Sequence, residues 1–265
     1  MRKYVLIIII LISQNTRAQK LTELQIGTNF FETQSFGNNP LTISYLMKNP
    51  LEFNNYINNF QHDGLGGSGR FYSLTKSINF STAFSLKGNS KLSKKLLINL
   101  GISVGLEESH PTGFLSKRYM TNPIPSVNQL NIETLNFSER RNYLGVQLGL
   151  TYIFRPEKKA SFFSGIQYLY HQSILHTYSS SIDKLTFTST NGGAEVLGSL
   201  NYENRSWSGR SYSVQRLFIP LGLNIHVAEK YRLRPAVQFG LYWPPKPFRI
   251  ADESHGFSIQ IVRIL

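Results

Sequence analysis

The sequence predicts an all-β fold, an antiparallel transmembrane β-barrel of eight strands with short periplasmic turns and long extracellular loops. Two features carry that reading. Eight segments alternate apolar residues with small neutral polar ones, and the connections between them are alternately short and long. Period-2 alternation is the mark of a strand whose two faces meet different surroundings.

The chain opens MRKYVLIIIILISQNTRAQ, with a basic start at Arg2 and Lys3, an apolar run from Val5 to Ile12, and small residues at Thr16 and Ala18. That is the layout of a secretory signal peptide over residues 1–18, cleaved after Ala18. The run is too brief for a spanning helix, which needs roughly 20 residues. Residues 19–265 then form one domain outside the cytoplasm. No later segment could cross a membrane as a helix, so a crossing must be made by a closed barrel. With 0 cysteines, neither a disulfide framework nor a thiolate metal site is available.

The segments run roughly Leu21 to Phe31, Arg70 to Lys87, Lys94 to Glu107, Asn142 to Phe154, Ser161 to His171, Ser211 to Val227, Tyr231 to Trp243 and Gly256 to Leu265. In LLINLGISVGLE, Leu96, Ile98, Leu100, Ile102, Val104 and Leu106 share one face, and Asn99, Gly101, Ser103, Gly105 and Glu107 the other. YLGVQLGLTYIF and the run RLFIPLGLNIHVAEKYRLRPAVQFGLYW repeat the split. A soluble barrel would wet its outer face with Lys, Glu and Thr. Here the polar face is Gly, Ser, Asn and Gln, which suits a crowded interior and leaves the apolar face for lipid. Aromatic residues near segment ends, such as Phe30, Phe84, Tyr152, Phe154, Phe162, Tyr170 and Trp243, suit interfacial girdles.

Connections 88–93, 155–160 and 228–230 are short; 32–69, 108–141, 172–210 and 244–255 are long. This asymmetry returns both chain ends to the short-turn side. The formal charge of +13 falls to +10 without Arg2, Lys3 and Arg17. Nine basic residues against Glu157 and Glu229 put +7 of it at the short turns, where Lys and Arg can meet outer-membrane lipid headgroups. Nucleic acid is not needed to explain the charge.

By parity, Glu23, Gln25, Asn79, Asn99, Glu107, Gln147, Gln167, Arg216, Asn224, Arg234, Gln238 and Gln260 point inward and form a polar network. An eight-stranded interior is just wide enough for side chains to fill, so general diffusion is not expected. Further strands within the long loops, above all NQLNIETLNFS, would change that. Pro220 cannot donate to a ladder and is expected at a bulge or kink; Pro235 lies nearer a segment start.

The stretch RLFIPLGLNIHVAEKYRLRPAVQFGLYW, roughly a tenth of the chain, resembles the strand-turn-strand signature of the outer-membrane β-barrel domain, or porin-family, proteins of Gram-negative bacteria. Ile219, Pro220 and Leu221 match its core, and Arg234 and Pro235 its second half; Arg216 stands where the family has an aromatic. The resemblance implies a fold and a location in the outer membrane, and no assigned activity.

The chemistry-bearing candidates are few. In NPLEFNNYINNF, Asn49 can cap a helix starting at Pro50, gathering Leu51, Phe53, Tyr56, Ile57 and Phe60 on one side, either as a lid or as a loop packing its own apolar residues over the rim. The second is favoured. In YLYHQSILH, His171 and Ser173 resemble the His-x-Ser pair of outer-membrane lipid A deacylases, where a base activates a serine. Here the pair points inward or lies at the rim, and Ile174 replaces the asparagine that follows the serine. The six histidines lack metal-ligand spacing, so no metal or cofactor is expected. GLGGSG, 64–69, precedes a strand and reads as a flexible loop. A structural or loop-binding barrel with an external ligand or envelope partner is expected, with a lipid-modifying enzyme and a narrow channel as alternatives.

Overall fold

The computed structural model describes residues 19–36, 44–60, 70–86, 92, 95–111, 115–124, 127–190, 193–243 and 252–265. The signal segment, the GLGGSG loop and most of 244–255 lie outside the described residues. Ten strands and one helix are present among them: β1 (Gln19–Phe36), α1 (Pro50–Ile57), β2 (Arg70–Leu86), β3 (Leu96–Pro111), β4 (Leu115–Ile124), β5 (Val127–Ile153), β6 (Ala160–Thr190), β7 (Gly193–Ser208), β8 (Ser213–Ala228), β9 (Tyr231–Trp243) and β10 (Asp252–Ile264). Antiparallel pairing runs β5-β3-β2-β1-β10-β9-β8-β6, and β6 pairs back to β5. Eight strands therefore close a ring, which leaves no edge within it.

The ring's polarity is inverted relative to a soluble protein. Ile78, Ile102 and Ile219 on the outside are each about half exposed, at 50%, 50% and 51%. Asn99, Ser103, Gln147, Gln167 and Arg216, on the opposite face of their strands, are buried.

β4 and β7 lie outside the ring. β4 pairs with the first half of β5, and β7 with the second half of β6, so that β4-β5-β6-β7 continues beyond the barrel as a sheet. β5 runs 27 residues and β6 runs 31. A tilted membrane crossing takes only about 9–11. Connections 108–141 and 172–210, expected as loops, are thus largely strand. NQLNIETLNFS is an extension of β5 and does not widen the ring.

Pro220 departs from the bulge expected of it, whereas Pro235 lies near the start of β9, where the sequence placed it. Pro220 sits inside β8, paired with Gln238 of β9. On the β6 side the ladder resumes in the same register, Ser164↔Leu221 and then Gln167↔Phe218, with the pairs between them missing. Pro220 therefore opens a gap and makes no bulge, because only its missing N–H is lost. Pro235 does the same toward β8, where pairing skips from Gly222↔Ala236 to Ile225↔Leu233.

Candidate functional site

Inward-facing side chains fill the ring in layers. Nearest the short turns, Arg234 of β9 donates from both terminal nitrogens to the two oxygens of Glu23 on β1, each at 2.7 Å, and from Nε to Asn224 Oδ1 at 2.7 Å. Asn224 donates to Ser161 Oγ at 3.1 Å. Gln25 donates to Glu23 at 3.0 Å and to Asn99 at 3.2 Å, and accepts from Ser81 at 3.0 Å. Arg232, one of the nine basic residues counted at the short turns and expected to meet lipid headgroups, lies with Nη1 3.7 Å from Glu23. A carboxylate stripped of water needs such a set of donors.

Above this layer Gln238 donates to Ser258 at 2.9 Å and to Gln167 at 3.4 Å. Gln147 and the half-buried Gln260 line the same space, a cavity of about 20 Å³ with room for one water. Phe31 of β1 and Phe218 of β8 then stack at 4.3 Å with planes 9° apart, against Leu169. Gly240 and Gly256, on the two strands between them in the ring, make this possible. A Cβ on either would stand 2.6 Å from Phe218 Cδ1 or Phe31 Cδ1 respectively.

The next layer centres on Glu107 of β3. Its Oε2 accepts from Arg141 of β5, from Arg216 of β8 at 2.8 Å and from Thr75 at 3.2 Å. Arg216 also donates to Thr75 Oγ1 at 2.8 Å and to His171 Nδ1 at 3.2 Å. Arginine only donates, so Nδ1 must accept and the ring proton lies on Nε2. His171 stacks on Tyr143, centroids 4.1 Å apart. Asn79 sits between these layers, accepting from Ser77 at 3.4 Å.

The candidate dyad is not assembled. His171 and Ser173 are 1% and 2% exposed, on the inward face. His171 Nδ1 is taken by Arg216, and His171 Nε2 has no partner among the described residues. Ser173 Oγ accepts from the Tyr212 amide at 2.8 Å and donates to Ser211 at 3.4 Å. Neither side chain faces lipid.

At the rim, β6 carries one residue more than β5: Asn142 pairs with Leu175 and Tyr143 with Ser173. Ile174 is the extra residue, and it reverses which side chains face inward above it. His176 and Tyr178 therefore turn in. His176 Nε2 lies 2.7 Å from Glu139 Oε1, which also accepts from the Tyr212 hydroxyl at 2.5 Å. Burial alone would raise the Glu139 carboxyl; His176, the Arg141 guanidinium and the Tyr212 hydroxyl together hold it below the usual carboxylate range.

Over the rim sits a second core. Asn49 Oδ1 accepts from the Glu52 amide at 3.4 Å, Pro50 opens α1, and the helix buries Phe53, Tyr56 and Ile57. With Phe60, Leu46 and Met47 they pack on Leu135 and Phe137 of β5, Tyr178 and Ile182 of β6, and Trp207 of β7. Leu51, expected on that side, is 70% exposed, since two residues on a helix are some 200° apart. The loop thus docks on the extended sheet and does not merely cover itself.

No family model and no curated protein matches the sequence. Among solved structures the chain is similar to Neisserial surface protein A, at 10% identity over 93% of this chain and 99% of that one, with a TM-score of 0.36. It is also similar to Ail, the attachment invasion locus protein of Yersinia pestis, in complex with the heparin analogue sucrose octasulfate (7%, 92% and 99%, 0.33), and to an outer membrane channel from Pseudomonas putida F1 (8%, 92% and 96%, 0.28). Nothing about activity follows from likeness at that level. The deciding observation is internal: a closed eight-stranded ring, apolar outside and charged inside. The chain is an outer-membrane-type β-barrel.

Within the barrel, the inward charges named from sequence fall into separate layers at the two ends of the lumen, Glu23 with Arg234 and Glu107 with Arg216, with Gln147, Gln167, Gln238 and Gln260 between them. Arg141, Glu139 and His176 were missed. Arg141 could have been found, because the parity of Tyr143, Gly145 and Gln147 continues to it. His176 could not, because the extra residue at Ile174 reverses the phase.

Proposed function

We propose that the chain is an integral outer-membrane protein of a Gram-negative envelope, of the porin-family type, exported through a signal peptide cleaved after Ala18. It acts by binding through the lobe formed by β4, β7, α1 and the outer halves of β5 and β6, and not by conduction or catalysis. Lipid surrounds the apolar belt, the basic short turns meet periplasmic headgroups, and the lobe presents itself outside the cell to a ligand or envelope partner; nucleic acid has no part.

The observation that carries this is the contrast between the two ends of the structure. The lumen is occupied by paired charges and a stacked aromatic pair, whereas the lobe is a separately packed unit with its own hydrophobic core. Outer membranes extracted with alkali should retain the protein, with a boiling-dependent mobility shift on SDS gels. The purified barrel should give no conductance steps in planar bilayers, and lipid A from cells expressing Ser173→Ala should match wild type. Regular channel steps, or lipid A altered by overexpression and restored by Ser173→Ala, would replace the binding reading with a channel or an enzyme.

A further inference from the structure

The extra residue at Ile174 leaves two consecutive apolar side chains, Ile174 and Leu175, facing outward together, 62% and 64% exposed. They continue the belt upward from Leu144 on β5. Both line a depression of about 390 Å³ whose wall also includes Lys48, Arg140, Asn142 and Ser208. Its frame is fixed. The Lys48 amide donates to Ser208 O at 3.0 Å, Met47 bridges Gly209, and a Cβ on Gly209 would stand 2.1 Å from His176 Nδ1.

Lys48 and Arg140 are exposed cations on the same depression. The neighbouring carboxylate of Glu108 lies 3.8 Å from Arg140 Nε, a long approach, and Glu139 is half-buried and already engaged by His176 and Tyr212. Exposed cations and apolar side chains share this one depression, which is continuous with the lipid-facing belt and so presents an amphipathic surface.

We propose that this depression binds a phosphate-bearing lipid of the external leaflet, its phosphate between Lys48 and Arg140 and its acyl chains over Ile174 and Leu175. The proposal rests on the outer-membrane reading above. Basic side chains at a lipid surface contribute roughly fivefold each to binding of anionic lipid, so losing both should weaken it about 30-fold.

The full-length barrel, solubilised from membranes in dodecylmaltoside, is titrated with phosphatidic acid and with phosphatidylcholine of the same acyl chains. Retained lipid is counted by native mass spectrometry, and each sample is checked for its mobility shift on boiling. One phosphatidic acid should be held in preference to phosphatidylcholine, about 30-fold more weakly by Lys48→Gln/Arg140→Gln and also more weakly by Ile174→Ser/Leu175→Ser. The single variants, each about fivefold weaker, serve if a double variant does not fold. Unchanged affinity in the variants, or a shift-positive barrel with no preference between the lipids, overturns the site alone. Competition by inorganic phosphate as strong as by phosphatidic acid overturns the lipid assignment in favour of a free anion. A wild-type protein lacking the mobility shift overturns the membrane reading and this proposal with it.

Discussion

Arg234 and Glu23, 211 residues apart in sequence, meet through two parallel hydrogen bonds of 2.7 Å inside the barrel. The geometry is the fork-to-fork pairing in which arginine outperforms lysine. Breaking it from one side strands a buried charge. Glu23→Ala should lower the unfolding free energy by about 3–5 kcal/mol, whereas Glu23→Leu combined with Arg234→Met should recover most of that loss. Urea midpoints of refolded barrels compare the two, and equal losses would show that the pair is not a unit.

The glycines beside the Phe31–Phe218 stack are there for space. A Cβ on Gly256 would stand 2.2 Å from the Phe30 carbonyl oxygen as well as 2.6 Å from Phe31, so backbone and ring would both have to move. Gly256→Ala should cost about 1–3 kcal/mol by overpacking. Gly198, with nothing within 4 Å of its Cβ position, should tolerate alanine within about 0.5 kcal/mol. A similar loss at both positions would mean that strand propensity, not crowding, sets the requirement.

Phe53 joins α1 to the extended sheet, 5.4 Å from Trp207 edge-on and 5.5 Å from Phe137. Phe53→Ala should cost the lobe about 3–5 kcal/mol of local stability. Because the lobe core and the lumen layers are separate clusters, the boiling-dependent shift should persist while 44–60 becomes open to protease. A variant that loses the shift would show that lobe and barrel fold as one cooperative unit.

Glu139 couples lobe stability to acid. Its folded-state pKa lies below the ordinary 4.5, so the stabilisation it confers is fully present above that value and is lost as pH falls through the lowered pKa. Trp207 fluorescence in a Trp243→Phe background should report loosening of the lobe in that acid range. Glu139→Gln, which cannot ionise, should flatten the response, and an unchanged pH profile in that variant would remove Glu139 as its source.

What could be read from the sequence follows the solvent boundary. Across the belt, lipid on one side and a packed polar lumen on the other force a clean alternation, and Leu96 to Leu106 display it without a break. Beyond the belt the signal fails for identifiable reasons. In NQLNIETLNF the apolar residues change face, with Leu130 and Ile132 outward, then Leu135 and Phe137 inward under α1. At Ile174 the extra residue shifts the phase of β6 by one. Both segments therefore look aperiodic in sequence while remaining in one continuous ladder.

The sequence by itself determined the barrel class, the inward parity of Glu23, Glu107, Arg216 and Arg234, and the capped helix at Pro50, because each depends on local period or on side chains a few residues apart. Only the tertiary structure decided which of those charges meet, that the prolines open gaps without changing register, and that two long connections become a sheet roofed by α1. Those outcomes depend on ring order and strand register, which are set by contacts between residues far apart in the chain, as in Glu23 with Arg234, 211 positions away.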